Sequence, residues 1–161
     1  QSRVILRFLP RDAQEKGKGS EGIFCGAAIQ LGDGTIITGH NTPQLHAASS
    51  LILNATKHLA GLPKKLHLLP QNIIDSVTFL KNEILKGKMV SLDLEETLIA
   101  LSISAISNPA AQLALEHLVH LQGCDVHMTH IPTPGDEAGL RKLGVHLTSD
   151  PNFSSKGLFL K

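Results

Sequence analysis

The sequence has neither tryptophan nor tyrosine, and its only large aromatic residues are five phenylalanines. Proteins that bind single-stranded nucleic acid stack the bases on aromatic side chains, so this composition disfavours that class of protein. Charge is nearly balanced, with 15 basic and 14 acidic residues and a formal net charge of +1. The chain therefore lacks the basic excess typical of nucleic-acid binding, and we expect no nucleic-acid partner.

Cysteine is scarce, and long apolar runs are absent. Cys25 and Cys124 lie far apart and outside any C-x-x-C motif, so a disulfide framework is not indicated, and we expect two buried thiols. No run reaches membrane-spanning length and no signal peptide is recognisable, so we expect a cytoplasmic protein without a membrane partner. The first residue is Gln1 and not Met, and we therefore expect the chain to be part of a longer protein.

What the chain does contain is an alternation of short apolar runs and segments with helical periodicity. Hydrophobic residues make up 42% of the 161 residues, enough for a single domain spanning 1–161. The alternation predicts an α/β domain, with a mixed sheet of about five strands and helices on both faces. Residues 11–22 are polar and glycine-rich and are expected to form a flexible loop. The predicted strands lie at 3–9, in a hairpin over 25–39, and at 66–69, 124–131 and 145–149.

Five helices are predicted, and two of them have recognisable starts. The first runs from about Pro43 to Ala60, with Thr42 as its N-cap and Pro43 at its first position. Asp93 and Glu96 have the spacing of a capping box, which predicts that another helix begins there. The remaining helices are predicted at about 73–84, 109–121 and 137–144.

The stretch "TGHNTPQLHAASS" (38–50) forms the first candidate site. Free backbone N–H groups and the dipole at a helix N-terminus favour an anion such as phosphate or carboxylate. The candidate ligand-binding residues there are Gly39, His40, Asn41, Thr42 and, one turn into the predicted helix, His46. The alternative is an ordinary capped helix start with a glycine turn, and the sequence leaves both interpretations open.

The stretch "HMTHIPTPGDEAG" (127–139) forms the second candidate site. Thr129, His130 and Asp136 lie between the end of a predicted strand and the start of a predicted helix. Ligands of open α/β sheets bind beyond the carboxyl ends of the strands, which makes these three residues ligand-binding candidates. The alternative is that Asp136 caps its helix and the prolines only shape a turn.

No metal site is predicted, although one segment is similar in outline to the cytidine-deaminase-like fold. In that fold a helix after a hairpin begins with H-A-E, and a later P-C-x-x-C supplies two more zinc ligands. Here Ala48 stands in place of the glutamate, and Ala110 and Leu113 stand in place of the cysteines. His46 alone cannot hold a catalytic zinc ion, which needs about three protein ligands. The predicted fold therefore resembles the outline of that fold without its zinc chemistry.

Four ordered blocks of the sequence resemble one known family. They are "DGTIITGHNTPQLHAASSLILNATKHLAG", "EETLIALSISAISNPAAQLALEHL", "GCDVHMTHI" and "LRKLGVHLTSDP", which together cover about Ala27 to Pro151. These blocks are similar to the C-terminal part of the uncharacterised protein family 0371, or domain of unknown function 1846, which is mainly bacterial. The resemblance implies a longer cytoplasmic protein, whose N-terminal part carries a glycine-rich, P-loop-like stretch.

The resemblance implies no particular activity, so no catalytic residue is carried over and the enzyme question stays open. We expect a C-terminal module that completes a phosphate- or nucleotide-type ligand cleft or an oligomer interface. The expected partners are the N-terminal part of the same protein and further copies of itself. No cofactor is expected in this chain, with nucleotide or phosphate bound in the full-length protein. The alternatives are an enzyme site shared with the P-loop-like region, and a purely structural interaction domain.

Overall fold

The computed structural model describes residues 23–153, and these residues form an α/β domain with four strands and five α-helices. The strands are β1 (Gly26–Gln30), β2 (Ile36–His40), β3 (Asp125–Met128) and β4 (His146–Ser149). The α-helices are α1 (Ala47–Leu59), α2 (Gln71–Phe79), α3 (Leu94–Ser104), α4 (Pro109–His117) and α5 (Pro134–Lys142). A π-helical turn, Leu80–Ile84, extends α2, and a 3₁₀ turn, Leu118–Leu121, extends α4.

The sheet is mixed, as predicted, with the strand order β2-β1-β3-β4. Strand β1 pairs antiparallel with both β2 and β3, and β3 pairs parallel with β4 through the connecting helix α5. The hairpin between β1 and β2 turns at Gly34, whose φ of +87° favours glycine. The Asp33 side chain accepts a hydrogen bond from the Thr35 N–H in the same turn. The predicted hairpin is thus confirmed.

The strand count differs from the prediction of about five. Residues 66–69 form an irregular segment with a bend at Leu68 and Leu69 and not a strand, and these two leucines pack in a separate apolar cluster with helical residues. The predicted strand at 3–9 and the predicted loop at 11–22 lie outside the described residues. The suggested similarity to the cytidine-deaminase-like outline stays a prediction.

The main core lies between one face of the sheet and helix α1. Ala27 and Ile29 of β1 pack there against Leu51 and Ile52 of α1. Strand β2 approaches α1 so closely that a Cβ at Gly39 would lie 2.6 Å from the Leu51 Cα. A second cluster joins α1 to α3 and α4, so these helices form a further layer on the same side. In residues 23–153 the prediction of helices on both faces is therefore not met.

Helix starts follow local capping rules, with one correction. The capping box of Asp93 and Glu96 at α3 is confirmed, and Thr133 caps α5. Helix α1, however, begins at Ala47 and not at Pro43, and its N-cap is His46 and not Thr42. The reason is a parallel bridge between Leu45 and Leu92, which holds the preceding residues in an extended conformation.

None of the helices within residues 23–153 is both long enough and apolar enough to cross a membrane.

Candidate functional site

The two predicted ligand loops meet at a single cleft. It is partly open to solvent, and its cavity volume is about 100 Å³. Five of the eight candidate residues line it: Asn41, Thr42, His46, His130 and Asp136. The other three candidates, Gly39, His40 and Thr129, do not belong to its lining. Residues far apart in sequence thus form one site.

A third segment, residues 88–91, forms another part of the cleft lining. It contributes Lys88, the only lysine or arginine among the described lining residues. The segment is held in place by the bridge in which His46 N–H donates to Leu92 C=O and Leu92 N–H donates to Gln44 C=O. Sequence reasoning missed this segment, since it has neither a motif nor a helix start of its own.

His46 and Asp136 form a hydrogen-bonded pair in the cleft. Nδ1 of His46 lies 2.8 Å from Oδ2 of Asp136, across 90 positions of sequence. Both side chains are shielded, with 13% of the His46 side chain and 4% of the Asp136 side chain exposed. A carboxylate only accepts hydrogen bonds, so with Asp136 ionised the proton lies on Nδ1 of His46.

The other oxygen of Asp136 binds the start of helix α3. Oδ1 accepts a hydrogen bond of 2.9 Å from the N–H of Leu94, the first residue of that helix. Asp93, the N-cap of the same helix, lies nearby, and burial raises the pKa of its carboxyl group, partly offset by the hydrogen bond from the Glu96 N–H. Asp136 thus links the entry of α1 to the entry of α3. The alternative that Asp136 caps its own helix is wrong, because the N-cap of α5 is Thr133.

The Nε2 atom of His46 is a buried ring nitrogen without a hydrogen-bonding partner among the described residues. Such groups are rare in native proteins, because an unpaired buried donor or acceptor costs about 1–3 kcal/mol. When Nδ1 carries the proton, Nε2 of a neutral imidazole carries a lone pair and is an acceptor. His46 therefore keeps unused hydrogen-bonding capacity beside the cleft.

Asn41 and Thr42 use their side chains to shape the loop. The Asn41 amide oxygen accepts from the Cys25 N–H at 2.9 Å, and its NH₂ donates to the Ile23 carbonyl at 2.9 Å. The Thr42 hydroxyl accepts from the N–H of Leu45 at 3.0 Å. These bonds fix the loop that carries His46. Both residues line the cleft, but their polar groups are already partnered within the chain.

Thr129 and His130 are placed by the end of strand β3. The buried Thr129 hydroxyl accepts a hydrogen bond from the Gly26 N–H at 2.9 Å, which joins β1 to β3. Nδ1 of His130 lies 2.7 Å from the same hydroxyl. Burial lowers the pKa of His130, although the Asp150 carboxylate acts in the opposite direction. His130 thus lines the cleft as a mainly neutral imidazole at pH 7.

Gly39 and His40 lie at the end of strand β2 and not in the cleft lining. Gly39 permits the close approach of β2 to α1, so its requirement is one of packing. His40 ends strand β2, opposite Gly26, and is 9% exposed. Neither residue contributes to the lining of the cleft.

Cys25 lies in the cleft lining and was not a candidate from the sequence. Burial and the nearby Asp136 carboxylate raise the pKa of its thiol to about 12. Nucleophilic attack and metal binding both use the thiolate, which is therefore scarce at neutral pH. Among the residues described, no group of three or more His, Cys, Asp and Glu side chains is arranged to hold a metal ion.

The family model for the C-terminal part of the domain of unknown function DUF1846 matches residues 4–159. The chain belongs to this family. Among curated relatives, this DUF1846 domain is 39% identical over 158 residues to a UPF0371 protein of Clostridium botulinum, covering 98% of the chain and 32% of that relative. It is 46% identical over 144 residues to a UPF0371 protein of Corynebacterium aurimucosum, covering 89% of the chain and 28% of the relative. The resemblance expected from four sequence blocks is confirmed.

The DUF1846 domain spans about a third of the length of these relatives. It therefore corresponds to the C-terminal domain of longer bacterial proteins. The start of α5 is capped by Thr133, whose hydroxyl accepts from the Asp136 N–H, whereas no side chain within residues 23–153 caps the first turn of α1.

Proposed function

We propose that this domain supplies one wall of a binding cleft for a phosphate-bearing ligand such as a nucleotide, within a larger cytoplasmic protein. The observation that carries the proposal is the convergence of the 41–46 and 130–136 loops on one cleft, where Nε2 of His46 has no partner within residues 23–153. A wall of this kind is completed by another part of the polypeptide. Nucleotide or phosphate is then a ligand of the full-length protein and not a cofactor of this domain alone.

Two features of the cleft support an anionic ligand. The first is the start of helix α1, where no side-chain cap and no acidic residue of the first turn neutralises the positive end of the helix dipole. The second is Lys88, a cationic residue of the 88–91 segment in the cleft lining. Asp136 opposes them, but both of its oxygens already accept hydrogen bonds from the protein. Lys88 and the start of α1 are thus the two features that attract an anion, against the negative charge of Asp136.

Calorimetric titration of the full-length protein with inorganic phosphate, AMP and ATP tests this proposal. We expect at least one of them to bind, and Lys88→Glu to weaken that binding at least tenfold by reversing a cleft charge. The matched control is Lys65→Glu, which makes the same charge change at an exposed position outside the cleft lining. If no probe binds, or if both variants weaken binding equally, the proposal is wrong.

A catalytic role for the same cleft is a second candidate. It is favoured by the His46–Asp136 pair, since a carboxylate-oriented imidazole is a common general base. In this version the domain contributes the pair to an active site shared with the N-terminal region. Turnover of the full-length protein should then fall by orders of magnitude in His46→Ala, and much less in His40→Ala, because His40 is not part of the cleft lining. Equal activity of both variants and the unmodified protein would exclude this candidate.

An oligomer interface is a third candidate, favoured by an apolar stripe on the outer side of α3. Ile99, Ile103 and Ile106 are 63%, 50% and 85% exposed, although Leu94 and Leu101 of the same segment are fully buried. Exposed contiguous apolar residues of this kind are typical of subunit contacts. We propose that a second copy of the protein covers them.

Sedimentation analysis of the full-length protein tests the interface. The double variant Ile99→Glu/Ile103→Glu should shift the protein to monomers, and Lys65→Glu should leave its oligomeric state unchanged. A protein that is monomeric without any substitution, or an oligomer that survives the double variant, would contradict the interface.

A further inference from the structure

The atom that distinguishes this cleft is Nε2 of His46. It is shielded from solvent and has no partner among the described residues. The other ring nitrogen is held by Asp136, which is itself fixed by the Leu94 N–H. The imidazole ring therefore cannot rotate to satisfy Nε2 without breaking the bond at Nδ1. A ligand group that enters the cleft can satisfy it without that loss.

The tautomer of His46 decides which ligand group fits. Asp136 accepts two hydrogen bonds through its two oxygens, the pattern of an ionised carboxylate. The proton between the two side chains then belongs to Nδ1, and Nε2 of the neutral ring has only a lone pair to offer. The free cleft thus presents a hydrogen-bond acceptor.

The surroundings of Nε2 match a polar group carried on a small, partly apolar ligand. The cleft lining also includes Met89 and Met128, whose unbranched side chains can adopt other rotamers when a ligand enters. Of the other titratable lining groups, Cys25 is a thiol at neutral pH and His130 is mainly neutral. Nδ1 of His130 is paired with the Thr129 hydroxyl and not with His46. Within residues 23–153, Nε2 of His46 therefore stays open to a ligand group.

We infer that Nε2 of His46 accepts a hydrogen bond from a hydroxyl group of the ligand, so that the cleft selects hydroxyl-bearing phosphate esters over analogues without that hydroxyl. This inference rests on the proposed phosphate-type ligand and names its class more narrowly. Asp136 is the positioning residue, since it keeps the acceptor on Nε2. Selection of this kind is effective, because an analogue without the donor leaves the buried nitrogen unpaired.

The test compares AMP with 2′,3′-dideoxy-AMP, which has the same base and phosphate but lacks both ribose hydroxyls. Affinities are measured by calorimetry on the full-length protein and on its His46→Leu variant, which replaces the imidazole by an apolar side chain. We expect the unmodified protein to bind AMP at least tenfold more tightly than the dideoxy analogue, which corresponds to about 1.4 kcal/mol. In the His46→Leu variant this preference should fall to less than twofold.

The outcomes separate this inference from the proposal beneath it. If neither compound binds the unmodified protein, both the inference and the proposed nucleotide site are wrong. If both compounds bind equally, or if the His46→Leu variant keeps the preference, only the inference about Nε2 is wrong. Circular dichroism of the variant verifies its fold, and His46→Gln, which restores an acceptor, should recover part of the preference.

Discussion

Replacing Asp136 tests the hydrogen-bond arrangement that holds the cleft together. Its two oxygens accept from Nδ1 of His46 at 2.8 Å and from the Leu94 N–H at 2.9 Å, and only 3% of the residue is exposed. Truncation therefore leaves two donors with little access to water. A hydrogen bond to a charged group contributes about 1.5–3 kcal/mol. We expect Asp136→Ala to lower the free energy of unfolding by about 3–5 kcal/mol.

Asp136→Asn separates the effect of charge from the effect of geometry. The amide oxygen can still accept from the Leu94 N–H, but the NH₂ group then faces Nδ1 of His46. The imidazole must consequently move its proton to Nε2 in order to accept at Nδ1. Both hydrogen bonds survive in neutral form, which is roughly half as strong. We expect a loss of about 1–3 kcal/mol and a reversal of the His46 tautomer.

Urea denaturation and ¹⁵N NMR of the imidazole nitrogens measure these two effects. The control is Glu137→Gln at the neighbouring position, which removes an exposed ion pair with Arg141 and should change stability by about 0.5 kcal/mol or less. Equal losses in the alanine and asparagine variants would refute the reasoning. So would a His46 tautomer that is the same with aspartate and with asparagine at position 136.

Further predictions concern the packing and titration of residues around the cleft. Gly39→Ala should lower the free energy of unfolding by about 1–3 kcal/mol or more, because the added Cβ separates β2 from α1. Gly32→Ala is the control, since its Cβ would meet nothing within 4 Å, and it should lower the free energy of unfolding far less in the same denaturation assay. Burial gives His130 a folded-state pKa below its unfolded value of about 6.5, so the unfolded chain binds more protons below that pH. The free energy of unfolding should therefore fall as the pH drops below about 6.5, and it should fall less steeply in His130→Asn. Cys25, with its pKa of about 12, should react with a thiol reagent at pH 8 far more slowly in the native protein than in denaturant, and fast native labelling assigned to Cys25 by mass spectrometry would contradict its burial.

Local sequence determined most of the helices and the hairpin, because their signals act over a few residues. The capping box of Asp93 and Glu96 and the turn around Gly34 were both readable from spacing alone. Family membership was readable as well, since it depends on the order of residues and not on their positions in space. In contrast, the apolar run at 66–69 predicted a strand, although these residues form an irregular bend and pack against helices. A short apolar run shows burial but not the partner that decides its conformation.

Only the tertiary structure decided the site. His46 and Asp136 are 90 residues apart, so no local pattern could show that they share a hydrogen bond. The start of α1 shifted from Thr42 to His46 because Leu45 pairs with Leu92, a contact that exists only after the chain folds. The same contact brings residues 88–91 to the cleft. Sequence thus determined which residues can carry a proton or bind an anion, and packing over long distances along the chain decided which of them meet.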